Sequence, residues 1–374
     1  MKIMQVQIYT LEKKMKSPFS TSFGTVHNKK FYVIEAIDES GIVGWGEGVA
    51  FEAPWYTEET VETSLHMLRD FLVPLLLNKE LEHPNEVSQI FSSIRRNQMA
   101  KASLEGAVWD IYAQMKKVSL AEAIGGTQKA IDVGISIGIE KTIEKQLQVV
   151  EKFLNEGYKR IKIKIKPGWD IEVVRAIRAR FGEIPLMVDA NSAYTLHDIE
   201  LLKQLDEFNL MMIEQPLAQD DIVDHAVLQK QITTPVCLDE SICSYNDAKS
   251  AIALGSCQVI NIKIGRVGGI SEAIKIHDLC VANQIAVWCG GMLEAGIGRA
   301  HNVALTSLTG FTMPGDTAAS SRYWDEDIIY PEVTVANGQI EVPTSIGIGY
   351  AINRAAIEKA SIQKEIITTS KTPF

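Results

Sequence analysis

The sequence predicts an α/β protein in which a TIM-type (β/α)7β barrel follows an α+β capping domain. From residue 126 onwards, short apolar runs alternate with amphipathic helical stretches, which indicates strands paired in parallel through helical crossovers. The charged residues that end five of these runs follow one another at intervals of 25, 25, 25 and 24 residues, and they are Lys164, Asp189, Glu214, Asp239 and Lys263. An eight-unit barrel has about 25 to 31 residues in each βα unit, so each interval matches one unit.

A doubly wound sheet is the alternative fold for this pattern. Such a sheet would not bring five charged strand ends to face one point, whereas the carboxyl ends of barrel strands form a single mouth where chemistry takes place. We therefore predict the barrel, with strands in the segments VGISIG, RIKIKI, LMVDA, LMMIEQP, PVCLDES, VINIKI and AVWCGG.

The N-terminal third of the chain has a different pattern. Residues 1 to about 56 alternate as strands do and contain a turn-type cluster at residues 38–41, which predicts an antiparallel hairpin or meander. From Thr57 onwards, apolar residues recur at spacings of three and four, which indicates helices. We predict a capping domain over residues 1–125, the barrel over 126–325 and a C-terminal segment over 326–374 that returns to the capping domain.

The composition excludes several kinds of partner. The 374 residues carry 47 acids against 37 lysines and arginines, and neither sign forms long runs, which argues against nucleic acid and membrane partners. The five cysteines include no C-x-x-C pair, which argues against a disulfide framework and for a reducing cytoplasm. The N-terminus has no signal-peptide pattern, and the longest apolar run contains Pro74. We expect a soluble cytoplasmic protein that acts on a small molecule.

Three strand-end acids form the candidate metal site. Asp189, Glu214 and Asp239 follow apolar strands in VDAN, IEQP and LDES, and together without a cation they would repel one another and lose hydration. Oxygen-only ligands select a hard ion, and a few carboxylates completed by water and substrate suit Mg²⁺ better than Ca²⁺. The alternative is that each acid caps the helix after its strand, which explains one acid more easily than three in register. We predict Mg²⁺, with Mn²⁺ able to substitute.

Three lysines alternate with isoleucines in RIKIKIK. The strand period of two places Lys162, Lys164 and Lys166 on one face, which is the interior of a barrel. Crowded ammonium groups near a divalent ion lower the pKa of a lysine and so make a neutral amine available as a general base. We predict Lys164 as the base, Lys162 as its support or as a contact to a substrate carboxylate, and Lys166 as a solvated loop residue. The alternative is an edge strand whose lysines prevent aggregation, but a central barrel strand has no open edge.

Further candidates lie at other strand ends. Lys263, in NIKIGRVGG, comes from the opposite side of the mouth, and a salt bridge to Asp239 or Glu240 is an alternative that does not exclude function. The groups predicted to touch substrate are Ser136, Asn191 and the turn of Gly291, Met292 and Leu293.

Taken together, these residues resemble a known family. K-I-K at 162–164, the three acids and Lys263 are similar to the muconate lactonizing enzyme subgroup of the enolase superfamily. The segments KPGWD at 166–170, DANSAY at 189–194 and IEQPL at 213–217 resemble its o-succinylbenzoate synthase and N-succinylamino acid racemase branch. The likeness spans nearly the whole chain. The mandelate racemase subgroup instead uses an Asp-His pair, and the strand after Lys263 ends in Cys289-Gly290-Gly291-Met292 without a histidine.

The resemblance implies Mg²⁺-dependent removal of a proton next to a carboxylate. One implied reaction is syn dehydration of 2-succinyl-6-hydroxy-2,4-cyclohexadiene-1-carboxylate in menaquinone biosynthesis, with Lys164 as base. Another is racemisation of N-succinyl or other N-acyl amino acids, in which Lys164 and Lys263 exchange the roles of base and acid. A catalytically silent binding barrel is the third possibility, and the intact acids and lysines argue against it.

The resemblance also implies a loop from about Pro18 to His27 above the mouth. Phe19 and Phe23 would then cover a substrate ring, although packing in the capping-domain core is an equal alternative. A homo-oligomer is expected from the family alone.

Overall fold

The computed structural model describes residues 1–20 and 25–369. An antiparallel four-stranded sheet begins the chain, as the alternating pattern predicts. Its outermost strand comes from the other end of the chain and pairs with the first strand. The strands, in sheet order, are Ser361–Ile367, Ile3–Ser20, Thr25–Asp38 and Val43–Gly48.

Helices follow this sheet in the capping region. They are Val61–Met67, Val73–Leu76, Glu86–Ile90, Gln98–Lys116 and Leu120–Ala123, with a π-helical turn at Leu68–Leu72 and a 3-10 turn at Phe91–Ser93. The π-helical turn ends two residues before Pro74, which has no N–H to continue an α-helical ladder. The helix predicted here is therefore present but is not a regular α-helix throughout.

The barrel contains seven parallel strands that neighbour one another in the order of the chain. A doubly wound sheet would reverse its strand order at one point, so the barrel prediction is confirmed. All seven predicted segments form strands, and these are Ile135–Ile137, Ile161–Lys164, Leu186–Asp189, Ile213–Glu214, Val236–Leu238, Val259–Ile262 and Ala286–Cys289.

Residues 311–316 close the barrel between its first and last strands. Phe311 bridges to Val287 and Gly315 bridges to Val133, both in parallel. The amide of Asp316 also donates to the carbonyl of Cys289 at 2.9 Å. This segment therefore occupies the eighth position of the ring.

Helices surround the barrel strands on the outside. They are Ile143–Asn155, Ile171–Phe181, Ile199–Leu202, Ile222–Gln229, Tyr245–Leu254, Ile264–Val267, Ile270–Ala282 and Gly296–Thr306, with 3-10 turns at Leu196–Asp198, Lys203–Phe208 and Ser320–Arg322. Two small antiparallel strand pairs and one helix complete the chain: Ala130–Asp132 with Gln339–Glu341, Ile329–Tyr330 with Ala351–Ile352, and Arg354–Ala360. Within the described ranges, no helix has the length and apolar character needed to cross a bilayer. All five cysteines are free thiols.

Candidate active site

The five charged residues spaced along the sequence lie at the carboxyl ends of five adjacent barrel strands. Lys164, Asp189 and Glu214 are the last residues of their strands and stand in register with their neighbours. Asp239 and Lys263 follow directly after theirs. The equal spacing in sequence thus becomes an arc of charged groups around one mouth.

Lys164 and Lys263 belong to opposite sides of that mouth. Their strands are four positions apart in the sheet. With residues 311–316 as the eighth member, four of eight positions is half of the ring, so the two ammonium groups approach the centre from opposite sides.

A cavity opens at this mouth. Of the predicted substrate contacts, Ser136, Lys162, Asn191, Gly291, Met292 and Leu293 line it, together with Lys164, Asp189 and Lys263. Glu214 and Asp239 are 0% and 1% exposed and contact the lysines of the lining. Phe23 lies outside the described residues, and the side chain of Phe19 is not described, so their lid role stays a prediction.

The predicted base pairs with the first acid. The Nζ of Lys164 lies 2.6 Å from Asp189 Oδ2 and donates to Asn191 Oδ1 at 2.7 Å. Burial alone would raise the pKa of Asp189, but Lys164 and Lys162 outweigh it and hold that pKa below the usual range. Lys166 is exposed beyond the strand end, so the prediction of a solvated loop residue is confirmed.

Lys162 lies one layer deeper among three acids. Its Nζ is 2.6 Å from Asp316, 2.9 Å from Glu214 and 3.5 Å from Asp189. Burial acts to lower the pKa of Lys162, but these carboxylates raise it above its ordinary value. Arg160 also pairs with Asp316 at 2.6 Å, and the two cations hold the pKa of Asp316 below its ordinary value against the effect of burial.

Lys263 pairs with the third acid. Its Nζ lies 2.8 Å from Asp239 Oδ2 and donates to the hydroxyl of Tyr56 at 2.9 Å. The salt bridge to Asp239 is therefore present, while Glu240 accepts a hydrogen bond from the amide of Asn191 at 2.9 Å. Burial acts to lower the pKa of Lys263, but Asp239 raises it well above its ordinary value.

The lowered pKa expected for the row of lysines is not seen at Lys162, and the pKa of Lys263 is raised as well. Each has at least one carboxylate within 3 Å, and that attraction outweighs both desolvation and repulsion from other cations. Both therefore remain charged in this arrangement.

Four side chains that bind the predicted acids and lysines were not themselves predicted. Asn261 lies two residues before Lys263 and donates to Glu214 Oε1 at 2.7 Å, so the strand period could have identified it. Arg266, three residues after Lys263 in the short helix Ile264–Val267, pairs with Asp239. Tyr56 from the capping region and Asp316 from the closing segment carried no signal in their local sequence.

Comparison with known proteins assigns the chain to a family. Residues 3–125 match the mandelate racemase / muconate lactonizing enzyme N-terminal domain, and residues 146–356 match the enolase C-terminal domain-like family. The chain belongs to the enolase superfamily. Among members of this superfamily, it is 60% identical to an o-succinylbenzoate synthase of Geobacillus kaustophilus over 93% of both chains. It is 43% identical to an N-succinylamino acid racemase of Thermus thermophilus, over 99% of this chain and 100% of the relative.

The crystal structure of an enolase superfamily member from Listeria innocua has the same fold. Its TM-score to this chain is 0.96 at 46% identity, covering 98% of this chain and 99% of the other. Superfamily enzymes of the mandelate racemase and muconate lactonizing type depend on a divalent metal ion.

The strand-end acids suit such an ion in their chemistry. They offer only oxygen, the donor that hard divalent cations prefer. Burial and the nearby charge of Asp189 raise the pKa of Glu214 to about 8, so this carboxyl binds a proton more readily than a free glutamate does. In residues 1–20 and 25–369, no three acidic, histidine or cysteine side chains form a compact ligand group, and Lys162 lies between Glu214 and Asp189. The ion would therefore require these side chains to separate from their lysine partners.

Proposed function

We propose that this chain is an o-succinylbenzoate synthase, which dehydrates 2-succinyl-6-hydroxy-2,4-cyclohexadiene-1-carboxylate in menaquinone biosynthesis. The observation that carries the proposal is one cavity reached by lysines from opposite sides of the barrel, with three acids at the strand ends between them. Relatives named as this synthase at 60% and 54% identity over at least 93% of the chain support the choice of substrate.

A divalent ion held by Asp189, Glu214 and Asp239, which we propose to be Mg²⁺ with Mn²⁺ as a substitute, would supply positive charge for the substrate carboxylate. Lys164 removes the proton from the adjacent carbon and returns it to the departing hydroxide, so that water leaves from the same face. Lys263 remains charged on the opposite side, where it stabilises the negative charge that develops on the carboxylate. Lys162, kept protonated by its three acids, contributes a second fixed positive charge.

Racemisation of N-succinylamino acids is the second candidate activity. Proton exchange on both faces of a carbon needs a lysine on each side, and the placement of Lys164 and Lys263 supports this. The relative from Thermus thermophilus is named as such a racemase. One site can therefore serve both reactions, with Lys263 as a static cation in the first and a proton carrier in the second.

The test is to give the purified, Mg²⁺-supplemented protein both substrate types. Dehydration is followed by the absorbance of the aromatic product, and racemisation by exchange of the α-proton for deuterium in each enantiomer of an N-succinylamino acid. We expect Lys164→Ala to abolish dehydration. Lys263→Ala should slow it by roughly 10²- to 10³-fold, the usual effect of removing one electrostatic group.

The two variants should also give mirror-image results in deuterated water. Lys263→Ala should exchange only the enantiomer whose α-proton faces Lys164, and Lys164→Ala only the other. Lys166→Ala, which removes an exposed lysine from the same strand end, is the matched control and should behave as the wild type. Equal exchange of both enantiomers in either active-site variant would contradict the two-lysine assignment.

We further propose that the enzyme acts in the cytoplasm as a homo-oligomer. Five free thiols are consistent with a reducing compartment. Size-exclusion chromatography with light scattering measures the oligomeric state directly.

A further inference from the structure

We propose that Lys29 of the capping domain is a positioning residue that holds the substrate-contact turn of the barrel in its working conformation. This inference rests on the proposed function, because it assigns the residue a part in binding substrate at that same cavity. The turn comprises residues 291–294, all of which line the cavity.

Lys29 reaches the turn from the other domain. It belongs to the capping strand Thr25–Asp38 and is 1% exposed. Its Nζ donates to the carbonyl of Met292 at 3.0 Å and to that of Leu293 at 2.6 Å. No carboxylate within the described residues lies within 4 Å of this ammonium group, so its hydrogen bonds go to the backbone of the turn. Burying a charge in this way is unfavourable unless the group is well hydrogen-bonded.

The turn needs such support because its backbone is strained. Leu293 has a φ of +59°, in the left-handed region that disfavours residues with a bulky side chain. Two donated hydrogen bonds to the carbonyls of residues 292 and 293 fix the orientation of the peptide groups around this strained residue. The ammonium group of Lys29 thus binds the strained residue itself.

A second capping-domain residue binds the segment that follows the turn. Glu47 accepts hydrogen bonds from the amides of Ala295 and Gly298, both at 2.7 Å, at the start of the helix Gly296–Thr306. The carbonyl of Glu294 between these contacts accepts from Arg299 at 2.6 Å. Side chains therefore bind four backbone groups in this stretch, the carbonyls of residues 292–294 and the amide of 295, and the capping domain binds three of these four groups.

This arrangement predicts an effect on substrate affinity more than on the chemical step. The turn shapes the cavity wall, whereas Lys164 is fixed separately by Asp189 and Asn191. Loosening the turn should raise KM and leave kcat nearly intact. A residue that only stabilises the fold would lower the melting temperature without this separation of KM from kcat.

The variant Lys29→Met keeps most of the side-chain volume and removes all three donors. At a temperature well below its melting point, we expect KM for the dehydration substrate to rise roughly 10- to 100-fold, the loss typical of hydrogen bonds from a charged group, with kcat changed less than about threefold. Amide hydrogen exchange should become faster in the peptide covering residues 291–298 and stay unchanged in the strand Val236–Leu238. Lys29→Arg, which keeps charged donors, should recover part of the affinity.

Lys30→Met is the matched control. Lys30 is the next residue of the same strand, and it pairs at 2.6 Å with Glu62, whose side chain is 71% exposed. This variant should keep the wild-type KM and kcat and the wild-type rate of amide hydrogen exchange at residues 291–298. If Lys29→Met does not fold, Glu47→Gln tests the same support from the capping domain, at the end of the turn, and should shift KM and amide exchange at residues 291–298 in the same direction.

The outcomes separate this inference from the proposed function. A folded Lys29→Met with wild-type KM or wild-type exchange at residues 291–298 overturns the inference, as does a folded Glu47→Gln with both unchanged. A wild-type protein that turns over neither substrate overturns the proposed function. In that case the exchange measurement still tests whether Lys29 holds the turn.

Discussion

Asp239 is held by three side chains at the barrel mouth. Lys263 and Arg266 form ion pairs with it, and the hydroxyl of Tyr56 donates to its Oδ1 at 2.9 Å. Burial alone would raise the pKa of Asp239, but Lys263 and Arg266 lower it, so this acid stays ionised even though it is fully buried. An ionised oxygen donor at this depth is suited to hold a divalent cation.

We expect Asp239→Asn to weaken Mg²⁺ binding and activity together, because it removes one of the three anionic donors. Isothermal titration with Mg²⁺, and with Mn²⁺ as a second probe, measures the affinity independently of turnover. Asp278→Asn, which removes an exposed charge from the helix Ile270–Ala282, should change neither. Unaltered ion affinity in the amide variants of all three acids would rule out the metal assignment.

The lysines and acids of the site could be predicted because their spacing is local. A strand period of two and a unit length of about 25 residues fix which residues reach the mouth. Tyr56 and Asp316 could not be found in this way, because they arrive from the capping region and from the closing segment. Their approach to Lys263 and Lys162 depends on how distant parts of the chain dock.

The strand Val43–Gly48 and the helix Gln98–Lys116 are in backbone contact. A Cβ at Gly46 would lie 1.8 Å from the carbonyl oxygen of Ser103, and one at Gly44 would lie 2.1 Å from that of Ala107. The two glycines therefore provide a smooth face on which the helix packs, and any side chain there must push the helix away.

Gly46→Ala should lower the free energy of unfolding by roughly 3 kcal/mol or more, because the clash is with backbone rather than with a side chain that can move. Gly41→Ala in the adjacent turn is the comparison variant, because it strains the backbone dihedral without causing a steric clash. Its Cβ would meet nothing within 4 Å, but its φ of +85° should cost roughly 1 to 2 kcal/mol. Urea unfolding measures the free energy of unfolding of both variants. A smaller loss of this free energy in Gly46→Ala than in Gly41→Ala would contradict the close packing.

Asp110 links the same helix to its neighbours. It accepts hydrogen bonds from the amides of Trp45 and Ile348, both at 3.0 Å, and burial raises its pKa to about 6. The folded protein therefore binds the proton more tightly than the unfolded chain, whose aspartate has a pKa of about 3.9. The stability that this group contributes is fully present below about pH 4 and is lost as the pH rises through 6.

Asp110→Asn should remove this component of the pH dependence. The difference in unfolding free energy between wild type and variant should change by on the order of 2 to 3 kcal/mol between pH 4 and pH 6 and stay constant above pH 7. Urea unfolding at several pH values measures it. A difference that is flat across pH 4 to 6 would show that the pKa of Asp110 is not raised.

The elements themselves were predictable to different degrees. The seven barrel strands are short apolar runs that end in charged or polar residues, which is a strong local pattern. Residues 311–316 do not have this pattern. Pro314 has no N–H for a strand ladder, and only isolated bridges join the segment to the strands beside it. The π-helical turn at Leu68–Leu72 could not be predicted either, because apolar residues spaced by three and four indicate a regular α-helix.

The capping domain and the barrel share one core. A single cluster of buried apolar side chains includes Phe31 and Trp45 from the first domain and Ile163 and Val188 from the barrel. Glu47 and Glu105, both buried in the capping domain, accept hydrogen bonds from the first amides of barrel helices. Negative charge at these helix starts also interacts favourably with the helix dipole. Neither domain therefore has a complete set of contacts without the other.

This shared core predicts that the two domains unfold together. Hydrogen exchange followed across a urea series should give the same midpoint for the capping strand Val43–Gly48 and the barrel strand Val236–Leu238. Glu105→Ala leaves the buried amides of Ile270 and Ser271 without their acceptor. It should therefore lower the free energy of unfolding by on the order of 3 kcal/mol and shift both midpoints equally. Glu122→Ala, at an exposed position of the same domain, should shift neither. Two separate midpoints in the wild type, or a shift confined to one strand in Glu105→Ala, would show that the domains are independent and that the interface does not couple them.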